Sequence, residues 1–172
     1  EIGKACYIPI GHKTKKNIDK DKVLRKLKPL LEDSSIKKIG QNIKFDFIVL
    51  YKNGIDITSI EDTMLMSYVL DAGKNRHNMD TLSEIHLNHK TVAFKDVIGS
   101  GKKEINFSQV DIEKAKDYAA EDADITLRLY KKFFKSLKEE KMLNIYEIFE
   151  KPMIKILAFM EIQGIKIDYK FL

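Results

Sequence analysis

The sequence has 172 residues, of which 44% are hydrophobic and 33% charged, enough for one globular domain with a sizeable core and too few for two. It contains no run of 18 apolar residues and no basic–apolar signal pattern at its start, so we expect neither a membrane span nor a secretory signal. Cys6 is the only cysteine in this sequence, which excludes an intrachain disulfide, argues against a thiolate zinc site and fits a reducing cytosol.

The positive charge is concentrated in the first third of the sequence. The net charge is +5, and residues 1–55 carry 13 of the 31 Lys and Arg residues but only six Asp and Glu. A basic region of this kind indicates contact with a polyanion. A genome that favours lysine codons explains the same excess, since only three of the 31 basic residues are Arg. Both interpretations stay open.

The first elements alternate between short strands and helices. Apolar and aromatic residues predict a strand at Lys4–Ile10, and a basic loop follows over residues 12–17. Helical spacing of Val and Leu predicts a helix from Asp19 to Asp33. Asp19 is its expected N-cap, and Pro29 should kink it or start a new turn.

The middle of the chain continues this alternation. A short strand at Ile36–Ile39 should stop at Gly40, and Asn42 should cap a helix that reaches Lys52 and ends at Asn53-Gly54. The next predicted elements are a strand at Ile55–Ile60, a helix at Asp62–Leu70, a polar break at Asp71–His77 and a helix from Asp80, its expected cap, to Leu87.

The last part of the chain is helical. Residues 88–107 read as a loop that contains Gly99 and Gly101, and Ser108 followed by Asp111 resembles a capping box that opens a helix to about Glu140. A final helix at Ile145–Gln163 should end at Gly164. Short strands that alternate with helices predict an α/β fold.

One aspartate is out of place on the long helix that starts near Ser108. At about 100° per residue, Asp122 lies on the same face as apolar residues such as Ala115 and Leu129. A carboxylate there must be paired, hydrogen-bonded or bound to a metal. The alternatives are a salt bridge to a buried Lys or Arg, and a metal ligand with Tyr118, one turn earlier, orienting an attacking water; Tyr118 is otherwise a core tyrosine. Glu121 and Asp124 point away and are expected to be solvated.

A second candidate acid is Asp46, in the first turns of its predicted helix. Apolar neighbours surround it, and the positive end of the helix should favour its ionised form; otherwise it is a solvated first-turn Asp. Two acids from separate elements suggest a divalent metal site with oxygen ligands. The histidines lack zinc-ligand spacing, and we interpret them as surface or loop residues: His77, His86 and His89.

Several segments together resemble the proofreading 3′–5′ exonuclease domain of bacterial family-A DNA polymerases. Gly40–Asp46 (GQNIKFD) resembles the second exonuclease motif, and Tyr118–Asp124 resembles the third, the Tyr-x-x-x-Asp signature. The other matching segments are Asp62–Tyr68 (DTML-type), Arg76–Leu82 (RH-x-MD-x-L), His89–Thr91 (HKT) and Glu150–Asp168, which is similar to the start of the polymerase region.

The resemblance implies an RNase H-like fold, a mixed sheet flanked by helices, and hydrolysis of the terminal phosphodiester at a DNA 3′ end. Two divalent ions, Mg²⁺ or Mn²⁺, about 4 Å apart, would activate water and stabilise the leaving oxygen. By resemblance, Asp122 holds the metal of the attacking water, Asp46 supports the second metal, and Tyr118 orients the nucleophile. The residues implied to contact the DNA strand are Asn42, Lys44 and Arg76, with Arg76 on a phosphate.

The sequence departs from the family at the first motif, Asp-x-Glu. Its only such triplet is Asp111-Ile112-Glu113, at a helix start, where residues i and i+2 do not face the same way. We therefore expect a truncated exonuclease domain over residues 1–144 that lacks the first strands of the family fold, and a helix over 145–172 that leads into the polymerase domain of the same parent chain. The strand at Lys4–Ile10 would then lack a neighbour, which strand exchange in a dimer would supply.

Three functions are compatible with these residues. The first is an editing exonuclease of a bacterial cytoplasmic polymerase, with two divalent metals in the intact domain and impaired activity in this cut form. The second is a vestigial exonuclease domain that only supports the polymerase. The third is an RNA-trimming exonuclease of the same tyrosine subtype, against which the polymerase-like segment at Glu150–Asp168 argues.

Overall fold

Helices form most of the chain in a computed structural model that describes residues 1–13 and 17–171, except the side chain of Lys102. The helices are α1 (Lys20–Glu32), α2 (Ile43–Lys52), α3 (Thr63–Asp71), α4 (Met79–Leu87), α5 (Phe94–Ile98), α6 (Ile112–Glu139), α7 (Leu143–Ile145) and α8 (Lys151–Gln163). Two 3₁₀ turns lie at Gly101–Lys103 and Phe107–Gln109, and a π turn at Tyr146–Glu150 joins α7 to α8. Within the described residues, no helix combines the length and apolar character needed to cross a bilayer.

Two short parallel strands lie at the centre of the fold. β1 (Lys38–Gly40) pairs with β2 (Ile60–Asp62), so that Gly40 lies opposite Asp62. Helix α2 provides the crossover that a parallel pair requires. All three residues of β2 are buried. The α/β class is therefore confirmed, with a two-stranded sheet in the described residues.

Three apolar clusters form the core. The first joins α2, β2 and α8, and the second joins α3, α4 and α6. A third, smaller cluster surrounds Ala115 near the start of α6. Tyr146 is buried in the second cluster and Ile154 in the first, so the segment after residue 144 packs into the same core as the residues before it. The domain boundary there stays a prediction.

The predicted strand at Lys4–Ile10 is wrong, because the segment has no strand conformation. It is held by side chains instead: Tyr7 packs against the third cluster, and its hydroxyl lies 2.6 Å from His12 Nε2. β-propensity forms a strand only where a neighbouring backbone pairs with it. Strand exchange in a dimer, which was expected to pair this segment, therefore finds no support in its conformation. The predicted basic loop over 12–17 lies partly outside the described residues.

The other predicted helices and strands form with shifted ends, whereas α5 lies within residues 88–107, which were predicted to be a loop. Helix α1 forms as one element through Pro29, and Asp19 caps it by accepting from Lys22 N–H. The strand predicted at Ile55–Ile60 starts later, because only its last residue and the two that follow reach β1. β1 is likewise shifted, and it includes Gly40 rather than stopping before it.

Three capping predictions are wrong in detail. Asn42 and Asn78 occupy the N-cap positions of α2 and α4, but neither side chain makes a capping hydrogen bond. Asp80 instead accepts a hydrogen bond from Thr91 Oγ1 (2.6 Å). The capping box lies at Asn106–Gln109 rather than at Ser108, and Asp111 alone caps α6.

Candidate active site

Asp46 and Asp122 line the same cleft, although they come from different helices. The cleft has a volume of about 490 Å³ and is bounded by β1, one face of α2 and the middle of α6. Ile43 and Leu50 line it from α2, and Thr126 lines it from α6. A larger groove of about 960 Å³ along α8 is lined mainly by apolar side chains and includes neither aspartate. The smaller cleft is therefore the candidate active site, because it contains both aspartates.

Asp122 is half-buried and hydrogen-bonded to Tyr118. It lies on the α6 face whose residues Ala115, Leu129 and Phe133 are buried. Desolvation raises the pKa of Asp122 to about 6, the hydrogen bond from Tyr118 opposes this rise, and the charges of Glu121 and Asp80 add to it. A carboxylate whose pKa lies near neutrality, in a cleft, is typical of functional sites.

Tyr118 keeps its proton at neutral pH. Burial raises the pKa of this phenol, and the nearby Asp122 carboxylate raises it further. Its ring packs in the third apolar cluster, 5.7 Å from Phe94 and 6.1 Å from Phe107 between ring centroids. Tyr118 is therefore both a core residue and a hydrogen-bond partner of Asp122.

The salt-bridge alternative for Asp122 does not hold among the described residues, where no Lys or Arg forms an ion pair with it. Its two neighbours, predicted to be solvated, are both half-buried and paired. Glu121 shares a hydrogen bond with His89 Nε2 and accepts one from Val92 N–H, both at 2.8 Å. Asp124 accepts from Arg128 and from Gly3 N–H. That leaves Asp122 as the carboxylate of this segment that lines the cleft.

Asp46 lies in the first turn of α2. Its side chain is exposed, yet it lines the cleft and is partly desolvated by the protein around it. Desolvation raises the pKa of Asp46, a backbone hydrogen bond opposes the rise, and the charge of Asp62 adds to it. The direction of this pKa shift runs against the predicted preference of the helix end for the ionised form, while the exposure of the side chain fits the alternative of a solvated first-turn Asp.

The start of α2 is held by a residue that the sequence did not indicate. Asp62, at the end of β2, accepts hydrogen bonds from Asn42 N–H (3.0 Å) and Ile43 N–H (2.9 Å). Gly40 is needed nearby, since a Cβ there would lie 2.8 Å from Ile43 Cγ1. The motif-like Gly40–Asp46 segment is therefore fixed by close packing and by a distant carboxylate. In the sequence, Asp62 stands at the start of a predicted helix and of the DTML-type segment, and neither signal predicts its contact with α2.

Gln41 links the cleft to the segment that contains Arg76. Gln41 Nε2 donates to His77 O (2.7 Å), and Thr63 Oγ1 donates to Gln41 Oε1 (2.5 Å). Arg76 precedes His77, and its side chain is exposed. The predicted DNA contact Asn42 is also exposed, whereas Lys44 forms an ion pair with Glu161 of α8.

The histidines do not form a metal site. His77 lies in a loop, as predicted, with Nδ1 2.9 Å from Ser67 Oγ, whereas His86 lies in α4, where its half-buried ring packs edge-on against Phe133. His89 is exposed, as predicted. In the part of the chain that the structure describes, no group of three or more His, Cys, Asp or Glu side chains is arranged to hold a metal.

The fold and the cleft define a small α/β domain with an acidic site formed by two carboxylates from different helices. A family model described as 3′–5′ exonuclease matches residues 1–138. The chain therefore belongs to the 3′–5′ exonuclease family, and the resemblance inferred from its motifs is confirmed.

Bacterial relatives named DNA polymerase I match nearly the whole chain. The protein from Rhizobium leguminosarum is 43% identical over 180 residues, covering 98% of this chain and 18% of the relative. Those from Pseudomonas aeruginosa and Borreliella burgdorferi are 41% and 40% identical, covering 99% and 96% of this chain and 19% and 18% of the relatives. The chain thus spans less than a fifth of the length of these relatives.

Proposed function

We propose that this domain removes nucleotides from the 3′ end of DNA by metal-dependent hydrolysis, as part of a larger protein of the DNA polymerase I kind. The observation that carries the proposal is the placement of Asp46 and Asp122 on one cleft, with Tyr118 hydrogen-bonded to Asp122. The family match and the names of the relatives support it. An RNase H-like fold is part of the proposal, and the parallel β1–β2 pair is consistent with it.

The residues of the cleft suit a hard divalent cation such as Mg²⁺ or Mn²⁺. Both candidate ligands, Asp46 and Asp122, offer carboxylate oxygens, and Mg²⁺ is commonly bound by one or two carboxylates plus water and substrate phosphate oxygens. Burial raises the pKa of each carboxyl, and a bound cation would favour the ionised form of both. When bound, such a cation lowers the pKa of water and neutralises phosphate charge.

Each residue then has a definite role. Asp122, once ionised, presents its oxygens to the cleft, and Tyr118, whose hydroxyl donates to Asp122, orients the attacking water by accepting a hydrogen bond from it. Asp46 acts from the opposite wall. The exposed Asn42 and Arg76 would contact the DNA strand, and Lys44 would join them once separated from Glu161.

The test is a degradation assay with the full-length protein and a 5′-labelled single-stranded DNA oligonucleotide. With Mg²⁺ or Mn²⁺ we expect products that shorten one nucleotide at a time from the 3′ end, and no products with EDTA. Internal cuts, or shortening that persists in EDTA, would contradict the proposal. An RNA oligonucleotide of the same sequence tests the RNA-trimming alternative, which requires faster loss of the RNA.

A second candidate is a domain that supports its parent protein without catalysis. The observation in its favour is that no described group of three or more potential ligands surrounds the cleft. This candidate predicts no shortening with either metal, while the full-length protein still extends a primer.

A further inference from the structure

Asp62 is a buried carboxylate that joins the starts of two helices. Its exposed fraction is 1%, and its side chain accepts hydrogen bonds from three backbone N–H groups. One comes from Met64 of α3 (2.9 Å), and the others come from Asn42 (3.0 Å) and Ile43 (2.9 Å), where α2 begins. A single side chain therefore serves as the cap of its own helix and as the acceptor for a helix that starts 20 residues earlier.

The geometry at the start of α2 needs this acceptor. Asn42 has a left-handed backbone conformation (φ 56°), and its own side chain makes no capping hydrogen bond. Without Asp62, the N–H groups of Asn42 and Ile43 would lack that acceptor, which is costly for Ile43 because it is buried. The carboxylate also gains from the positive ends of α2 and α3. The contact thus gives the N–H groups of Asn42 and Ile43 an acceptor and gives the Asp62 carboxylate two donors.

Tyr146 holds the backbone of Asp62 in place. Its buried hydroxyl accepts from Asp62 N–H (2.9 Å) and donates to Glu61 Oε2 (3.0 Å). Lys151 in turn donates to Glu61 Oε1 (3.0 Å). Asp62 is therefore tied to the core at its backbone and to α2 at its side chain, so its position sets where α2 begins.

We propose that Asp62 is a positioning residue for the candidate active site. It holds the Asn42–Ile43 backbone so that Asp46, one turn later, faces the cleft, and it acts through Asp46 without touching the substrate. This role rests on the proposed exonuclease function. A purely structural role would lower stability without any special connection to Asp46.

The first test measures amide hydrogen exchange in the full-length protein by mass spectrometry. Asp62→Asn keeps the shape of the side chain but replaces one acceptor oxygen by a donor, so either the Ile43 N–H or the Asn42 and Met64 N–H groups together lose their partner. We expect exchange in peptides covering residues 41–46 to accelerate by about tenfold. The control Asp19→Asn alters a similar cap on α1, which accepts from Lys22 N–H, and should leave these peptides unchanged. Unaltered exchange at 41–46 in Asp62→Asn would overturn the proposal.

The second test is a double-mutant cycle on the turnover rate for 3′-nucleotide removal. Asp62→Asn alone should lower kcat about tenfold, because a small misplacement of a catalytic group is costly. In an Asp46→Asn background the same change should cost less than about twofold, because the two residues act as a unit. Independent, multiplicative losses would overturn the proposal.

An inactive wild-type protein and an Asp62→Asn variant that does not fold can each be distinguished from failure of the proposal. A wild-type protein without exonuclease activity would defeat the proposed function, while hydrogen exchange would still decide whether Asp62 orders the start of α2. If Asp62→Asn does not fold, Tyr146→Phe takes its place, since it removes the hydroxyl that accepts from Asp62 N–H and leaves the carboxylate. It should accelerate exchange at 41–46 in the same direction by a smaller factor, and no acceleration would count against the proposal.

Discussion

The two walls of the cleft are built in different ways. The α6 wall, which carries Asp122, is one face of a 28-residue helix whose buried residues pack into two apolar clusters. The α2 wall, which carries Asp46, packs into the first apolar cluster along its length, but its first turn is also held by individual hydrogen bonds that involve Asp62 and Gln41. Apolar packing is spread over many contacts, whereas each of these hydrogen bonds has one partner. We therefore expect the α2 wall to be sensitive to single changes and the α6 wall to tolerate them.

The largest effect on stability is expected from Gly40→Ala, at the start of the α2 wall. The added Cβ would lie within 3.0 Å of three atoms of Ile43, a buried residue with little room to move. We expect the free energy of unfolding to fall by about 1–3 kcal/mol, as for other overpacked cores. Urea denaturation measures this change.

Gly11→Ala is the matched control, since its φ is not positive and a Cβ there would meet no atom within 4 Å. It should change the free energy of unfolding by less than about 0.5 kcal/mol. Equal effects of the two substitutions would show that the α2 wall is no more sensitive than a surface loop.

The α6 wall should respond to pH through Asp122. Burial raises the pKa of this carboxyl from 3.8 to about 6, so the folded state prefers the neutral acid. In metal-free buffer, this contribution to stability is complete below about pH 4 and is lost as pH rises to about 6. Asp122→Asn should therefore increase the free energy of unfolding at pH 7.5 by about 1–2 kcal/mol, after allowance for partial exposure, and change it little at pH 4. Urea denaturation in EDTA at both pH values measures this.

Asp124→Asn provides a control of opposite sign. Burial raises the pKa of Asp124, but hydrogen bonds from Gly3 N–H and Arg128 together lower it by more, so that the pKa lies below its ordinary value. Ionised Asp124 thus stabilises the fold above about pH 4, and this contribution is lost as pH falls through the folded pKa. Its substitution should lower stability at pH 7.5. A loss of stability at pH 7.5 in both variants would contradict the conclusion that ionised Asp122 destabilises the folded state.

The smallest effect is expected at the ion pair between Glu161 of α8 and Lys44 of α2, which lies outside the residues that line the cleft. Glu161→Gln should free Lys44 and tighten binding of a single-stranded DNA oligonucleotide by less than about fivefold, because surface ion pairs are weak. Fluorescence anisotropy in EDTA at low salt measures the affinity. Glu139→Gln, which breaks a similar exposed pair with Lys135, should leave it unchanged. Weaker binding after Glu161→Gln would show that the pair itself is needed for the DNA surface.

The same contrast explains what the sequence could reveal. The helical period alone placed Asp122 on a buried face beside Tyr118, and the structure shows the hydrogen bond between them. Motif order indicated the family, which the family match confirms. These features are local, since a helix face and a short motif can be recognised from neighbouring residues.

The features that were missed depend on distant partners. The hydrogen bonds from Asn42 and Ile43 to Asp62 cross 20 residues, so Asn42 looked like a side-chain cap when the real acceptor lies on another element. Lys4–Ile10 has strand composition, but no backbone in the described residues forms a ladder with it. Which carboxylates are paired was equally hidden: Glu121 and Asp124 find their partners through tertiary contacts with His89 and Gly3.

The most direct test of the account compares Asp122→Asn with Asp124→Asn in Mn²⁺-dependent removal of the 3′-terminal nucleotide by the full-length protein. Both substitutions replace one carboxylate on the same turn of α6, but only Asp122 lines the cleft. We expect Asp122→Asn to lower the rate at least about a hundredfold, because a lost metal ligand removes several kcal/mol of transition-state stabilisation. Asp124→Asn should stay within about threefold of the wild type, as for a change that touches no reacting group. Equal rates for the two variants would contradict the assignment of the cleft as the catalytic centre.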